Sequence, residues 1–282
     1  MSKLTKENLV EDLKSIGIGS GDSIMVHSSL SSIGNVDGGA ETVVESLVDA
    51  VTAQGTLMMP CYNSAEAVQA DIEAGQYVDL RELRSSMGKI TEIFRRRPGV
   101  VRSSHPFSSV CAWGKNAELV TSGHSKNPYI CHAESPMGHI VDANVRIVGI
   151  GITIAVGMAV SHYLEDIDEP FPIEVHTPPF EVKYTDALGN SVEREVIRFD
   201  PVVSQTRIGS PGTEWICDSL TRHFTKLGIM QHFKFGNADS WVMEAKPVFI
   251  ELKRLAKKGI TIYLTEAEWK SMNSGNKSID SW

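Results

Sequence analysis

The chain has 282 residues, enough for one large α/β domain with a well-buried core. Hydrophobic residues make up 41% and charged residues 22%, an ordinary soluble composition, and no apolar run is long enough to span a membrane. A formal net charge of -8 argues against nucleic acid as a partner; it is compatible with a cationic substrate, though plain solubility accounts for it as it stands.

The opening segment "LTKENLVEDLKSIGI" predicts a helix capped by Thr5, with Leu9, Leu13 and Ile16 at helical spacing. It is charged and lacks the apolar core of a secretory signal. "DSIMVHSSL" predicts a buried strand running into a serine loop. "GGAETVVESLVDAVTAQG" predicts a helix introduced by Gly38 and Gly39 and ended by Gly55. "TLMMPCYN" is a second buried strand, and the polar stretch from Ser64 to Arg84 is expected to be a long loop of functional type. "SMGKITEIFRRRPGV" predicts a helix stopped by Pro98, and "SSVCAWG" and "VRIVGIG" predict strands. "FEVKYTDALGNSVEREVIRF" alternates on both sides of "DALGN" and predicts a hairpin with one solvated face. "GTEWICDSLTRHFTKLG" and "DSWVMEAKPVFIELKRLAKKG" predict amphipathic helices, the second kinked or split at Pro247. "ITIYLT" predicts a last strand, and a loose tail runs from Asn273 to Trp282.

This alternation argues an α/β architecture: helices layered around a central mixed β-sheet, with an added antiparallel hairpin. No internal repeat or linker divides the chain, so residues 1–272 are expected to form a single domain. Four cysteines, Cys61, Cys111, Cys131 and Cys217, match no zinc spacing and are too few to staple a chain this long. Reduced thiols and a cytoplasmic location follow as expectations.

Several stretches carry candidate chemistry. In "VHSSLSSIG", Ser28, Ser29 and Ser31 follow a strand's carboxyl end, where hydroxyls and backbone N–H groups suit an anion; the absent Gly-Lys-Ser/Thr excludes a P-loop. In "RSSHPFSSV", Arg102 offers a fork for phosphate, and Pro106 holds His105 in an extended or turn conformation. Either segment also fits a polar loop or turn satisfied by its own backbone. "GIG" permits close approach at Gly149 and Gly151, but the dinucleotide fingerprint fails at Ile154.

The segment "GMAVSHYLEDIDEPFPIE" holds His162 three residues before Glu165, followed by Asp166, Asp168 and Glu169. On a helix the first two share a face, so the carboxylate can fix the imidazole tautomer and leave the other nitrogen free to accept a proton. The competing reading is a surface pair contributing about 0.3 kcal/mol. His27, His105, His132 and His139 with nearby acids raise a metal hydrolase as another reading, although no H-E-x-x-H or H-x-H spacing occurs. Cys61 or Cys111 with His162 would be a thiol nucleophile; both cysteines also fit apolar strands as core thiols.

In order, "VHSSLSSIG", "GTLMMP", "RSSHPFSSVCAWG", "ESPMGHI", "VRIVGIG", "HYLE" and "KFGNADSW" resemble the antibiotic N-acetyltransferase family, typified by aminoglycoside 3-N-acetyltransferases. The resemblance runs from about residue 5 to about residue 260. It implies acetyl-CoA as co-substrate, no metal, and a fold distinct from the GCN5-related acetyltransferase fold. It maps the general base and its partner onto His162 and Glu165. It maps the coenzyme side onto Ser28, Ser29, Leu30, Ser31, Arg102, Ser103, His105, Ser109 and Val110. Where typical members carry an Asn-Thr-Thr-like run before the histidine, this chain has Met158, Ala159 and Val160.

The resemblance thus implies direct acetyl transfer to an aminoglycoside amine, with coenzyme A and a small-molecule amine as partners; charge and hydropathy point to neither nucleic acid nor membrane, and a homodimer is a candidate assembly. The apolar run admits a different acceptor, such as an amino sugar of surface-polysaccharide synthesis or a small metabolite. A binding protein with impaired catalysis on the same scaffold is the alternative from another class.

Overall fold

The computed structural model describes all residues except 1–2, 64, 75–77, 168–170 and 273–281. Among the described residues, ten strands form two sheets: β1 Ser23–Ser28, β2 Thr56–Pro60, β3 Val78–Asp79, β4 Val101–Arg102, β5 Val110–Gly114, β6 Arg146–Ile150, β7 Phe180–Thr185, β8 Ser191–Val196, β9 Met230–Phe235 and β10 Ala238–Glu244. The larger sheet has the order β4-β5-β2-β1-β6-β10-β9. Its centre, β2-β1-β6, is parallel, with Ile24 opposite both Leu57 and Arg146. Antiparallel strands complete both sides, β5 and β4 on β2, and β10 and β9 on β6.

The central strands bury both faces, which is why they read as continuous apolar runs. The two-residue period divides them between two cores. Ile24, Val26, Leu57, Met59, Val148 and Ile150 face the helices Lys6–Ser15, Ala40–Val51 and Lys89–Phe94. Met25, Met58, Ile147 and Met243 face Pro136–Asp142, Val160–Ile167, Glu214–Lys226 and Ala245–Ala256. The architecture is therefore a mixed sheet between two helical layers, and the β7–β8 hairpin stands apart in a second sheet of order β3-β7-β8. Among the described residues, no helix is long and apolar enough to cross a membrane.

Thr5 does cap the first helix, in a reciprocal box with Asn8. Four expectations need correction. The stretch 64–84 contains the helix Ala65–Glu73 and β3 rather than loop alone. The helix before Pro98 is only Lys89–Phe94. "DSWVME" is β10, and the following helix starts at Ala245; this puts Pro247 in the first turn, where no intrahelical N–H is lost and no kink follows. "ITIYLT" is not a strand but a buried turn-bearing segment, followed by the helix Glu266–Met272. At the end of the chain the Trp282 indole packs edge-on to Trp215 and Trp269; the rest of the predicted tail lies outside the described residues.

Candidate active site

The carboxyl end of β6 builds the site. Gly149 and Gly157 are flat against the Trp241 indole; a Cβ would lie 2.0 Å from Trp241 Cε2 at the first and 2.2 Å from Cη2 at the second. The indole Nε1–H donates to the Ile152 carbonyl at 2.8 Å, fixing the turn that leaves the strand. The motif "GIG" thus serves a packed tryptophan at Gly149, while Gly151 takes a φ of +64° and abuts Ser32. The chain then passes the short helix Ile154–Gly157 and enters Val160–Ile167, which carries the dyad.

His162 Nδ1 lies 2.6 Å from Glu165 Oε2, one helical turn on. The Glu165 side chain is 0% exposed and that of His162 20%, so this is no solvated surface pair. A carboxylate accepts only, so Nδ1 carries the proton and Nε2 presents its lone pair. Nε2 points toward Arg207, whose Nη1 is 3.4 Å away. The imidazole is tilted against Phe199 with ring centroids 4.4 Å apart. Among the described residues, Glu165 Oε1 and the Tyr263 hydroxyl are both buried, and neither makes a hydrogen bond of good geometry. Burial, and then the charge of Glu165, push the Tyr263 phenol up.

The next residue, Asp166, carries a second pair that the sequence did not single out. Its Oδ1 accepts from His176 Nε2 at 2.6 Å and its Oδ2 from the Cys131 backbone N–H at 2.7 Å. Burial pushes the Asp166 carboxyl up against the pull of His176. Burial works against protonation of His176, but the hydrogen bond and charge of Asp166, with Glu174 and Glu165, outweigh it and hold its pKa above the ordinary range. The acidic residues Asp168 and Glu169 lie outside the described residues.

His162 opens onto a cavity of about 490 Å³, within the usual range of small-molecule sites. Met158 and Ala159 form one wall, Phe107, Ser108, Val110 and His124 another, and Arg198, Phe199 and Arg207 a third. Tyr62 and Asn63, just past β2, line it too, so the cavity sits beyond the carboxyl ends of the parallel strands. Ser161 turns its hydroxyl onto the Met158 carbonyl at 2.7 Å. The run Met158, Ala159 and Val160 is thus buried and apolar, and two of its members face the cavity.

The remaining motif residues fall into two groups. In the first, Arg102 spends its fork on the protein: Nε donates to Ser109 Oγ at 2.7 Å, Nη1 to the Leu80 and Leu83 carbonyls, and Nη2 to the Cys61 carbonyl. Ser103 Oγ accepts from the Val110 N–H and contacts His124 Nδ1, each at 2.8 Å. His105 Nδ1 accepts from the N–H groups of Phe107 and Ser108, closing the turn that Pro106 starts. These four side chains hold the loop that brings Ser108 and Val110 to the cavity. In the second group, the Ser29 hydroxyl bonds those of Ser31 and Ser32, and none of Ser28, Ser29, Leu30 or Ser31 lines the cavity.

His27, His105 and His124 are buried and held neutral, His27 at about 4 and His124 at about 3, by loss of water around the charged form. Among the described residues no three His, Cys, Asp or Glu side chains gather as metal ligands. Cys61 and Cys111 are buried in the helical layer on the opposite face of the sheet from the dyad's helix, which separates them from His162. A hydrogen bond from Cys111 brings the Cys61 thiol down to about 7 without exposing it. Arg207 and Phe199 were invisible in the sequence; no local pattern connects Arg207 to a histidine 45 residues earlier.

Comparison with known proteins bears on this geometry. Residues 25–256 match the family model described as aminoglycoside 3-N-acetyltransferase. Aminoglycoside N(3)-acetyltransferase VII of Streptomyces paromomycinus is 31% identical over 267 residues, covering 87% of this chain and 88% of that protein. The crystal structure of aminoglycoside acetyltransferase AAC(3)-Xa superposes with a TM-score of 0.77 at 25% identity, over 92% of this chain and 95% of the other. The structure of AAC-IIIb as a binary complex with CoASH shares the fold, with a TM-score of 0.76 at 23% identity over 92% and 98% of the two chains. The chain belongs to the aminoglycoside 3-N-acetyltransferase family.

Proposed function

We propose that this protein transfers the acetyl group of acetyl-CoA to an amine of an aminoglycoside, at the 3-N position, with His162 as general base and Glu165 as its partner. The observation that carries the reading is a histidine anchored at Nδ1 by a fully buried carboxylate, with Nε2 turned into a small-molecule cavity. Family membership supports the reaction class and the co-substrate.

The chemistry is a direct transfer. The neutral amine attacks the thioester carbon, and its proton passes to His162 Nε2 as the C–N bond forms. The imidazolium is stabilised by Glu165 at 2.6 Å. Collapse re-forms the carbonyl and breaks the C–S bond, and the departing thiolate takes the proton back from the imidazolium. The amide product and the thiol leave, and His162 is neutral again. On this reading Ser108 and Val110 contact the coenzyme's thiol arm. Arg102, Ser103, His105 and Ser109 act through the loop they hold, and Ser28–Ser31 belong to the outer part of the coenzyme's path at the same edge of the sheet. We place the reaction in the cytoplasm, with four free, buried cysteines consistent with a reducing compartment.

A second acceptor class is favoured by the cavity itself. Met158 and Ala159 give an apolar wall, and Arg198 and Arg207 bring two guanidinium groups. An amino sugar linked to a nucleotide phosphate would match that pairing. Thiol release measured against a panel of aminoglycosides and nucleotide-linked amino sugars decides between them. Turnover on the aminoglycosides supports the first reading, and turnover confined to the phosphorylated amines replaces it.

A further inference from the structure

We propose that Arg207 is the catalytic group that stabilises the oxyanion formed on the thioester carbonyl. The inference rests on the acetyl-transfer reading above and adds a residue to it. The serine loop after β1, whose hydroxyls and backbone N–H groups suit an anion, lies outside the cavity wall. Arg207 lines the cavity, and its Nη1 is 3.4 Å from the nitrogen that receives the amine's proton.

Among the described residues this guanidinium pairs with no carboxylate, and its side chain has no other hydrogen-bond partner. A part-buried cation aimed at the reacting centre is placed for a charge that arrives during the reaction. Its backbone is held: the Ile208 N–H donates to the Ile262 carbonyl at 2.8 Å, the Ser210 N–H donates to the Arg207 carbonyl at 3.0 Å, and Ile208 is buried.

The geometry of the step fits. In the tetrahedral adduct the oxygen is two bonds from the attacking nitrogen, and that nitrogen is hydrogen-bonded to His162 Nε2. A donor 3.4 Å from Nε2 is therefore within reach of that oxygen. As the amine attacks, the carbonyl π pair moves onto oxygen and an Arg207 N–H donates to it. As the carbonyl re-forms, the pair returns and the thiolate leaves. Arginine stays protonated throughout, so it stabilises charge without competing for the proton. In the free enzyme the same N–H occupies the Nε2 lone pair, and an incoming amine takes its place.

Arg207→Gln and Arg207→Lys test this. Losing one oxyanion donor costs about 10²–10³ in kcat. The expected result for the glutamine variant is a fall of that size in kcat, with KM for acetyl-CoA and for the acceptor within about threefold. The lysine variant should recover part of the rate, and added guanidinium should partly rescue Arg207→Ala. Thermal melts and coenzyme A binding establish that each variant is folded. A kcat within threefold of the parent overturns the proposal. So does a loss confined to KM of the acceptor, which would make Arg207 an anchor for an anionic group. His162→Ala separates the two levels: an inactive His162→Ala beside a fully active Arg207→Gln sinks this inference and leaves the base in place. An active His162→Ala removes the base reading instead.

Discussion

Replacing Glu165 with glutamine keeps the shape of the dyad and removes its charge. The glutamine carbonyl can still accept from His162 Nδ1, so ring orientation and tautomer are preserved. What is lost is the stabilisation of the imidazolium. With Oε2 at 2.6 Å from Nδ1, the charge centres lie about 4 Å apart. At an effective dielectric of about 20 this corresponds to roughly 4 kcal/mol, an upper bound. The difference between a charge-assisted and a neutral hydrogen bond gives a lower bound of about 1–2 kcal/mol. Dividing by about 1.4 kcal/mol per decade, kcat should fall between about 10-fold and 10³-fold. Because Glu165 is fully buried and its charge is paired with a titratable ring, the melting temperature should change little. The assay is thiol release with both substrates saturating, across pH 6–9, beside a thermal melt. A kcat within threefold of the parent at every pH would refute the role given to the carboxylate.

Further predictions concern the scaffold. His27, His105 and His124 are neutral when folded and ionise near 6.5 when unfolded, so the unfolded chain binds more protons in acid. Their stabilisation is complete above pH 6.5 and is lost as pH falls below it, by about 4 kcal/mol per pH unit near pH 5 for the three together. His176, with its raised pKa, has the opposite sign and loses its contribution as pH rises through that value. Urea midpoints from pH 7.5 to 4.5 should fall steeply below pH 6.5, and a flat profile would contradict the buried neutral histidines. Gly149→Ala drives a methyl into the Trp241 indole and should cost about 1–3 kcal/mol, read by urea unfolding. It should also lower activity, because the same indole fixes the turn leading to His162; an unchanged melt would contradict the packing.

Much of the fold was legible because its signals are local. Ile24, Met25 and Val26 form an apolar run too short for a helix, and Thr5 ahead of Leu9 and Leu13 marks a helix start. The errors arose where a local pattern fits two structures. "DSWVME" runs without a break into a strong helix, so its pairing with β6 and β9 shows only in the fold. "ITIYLT" has strand composition, yet it is buried without strand pairing. The site divides in the same way. His162 and Glu165 sit one turn apart and could be read as a pair. Arg102 read as a phosphate fork because the carbonyls that consume its donors come from Cys61, Leu80 and Leu83, distant in sequence. Arg207 gave no signal, since its meaning lies entirely in where the chain brings it.

The most direct test of the account is His162→Ala, with steady-state kcat and coenzyme A affinity measured on the same preparation. Removing a general base should lower kcat by about 10²–10⁴-fold while the coenzyme Kd stays within about threefold. Near-parental turnover in a variant that still binds coenzyme A would contradict it.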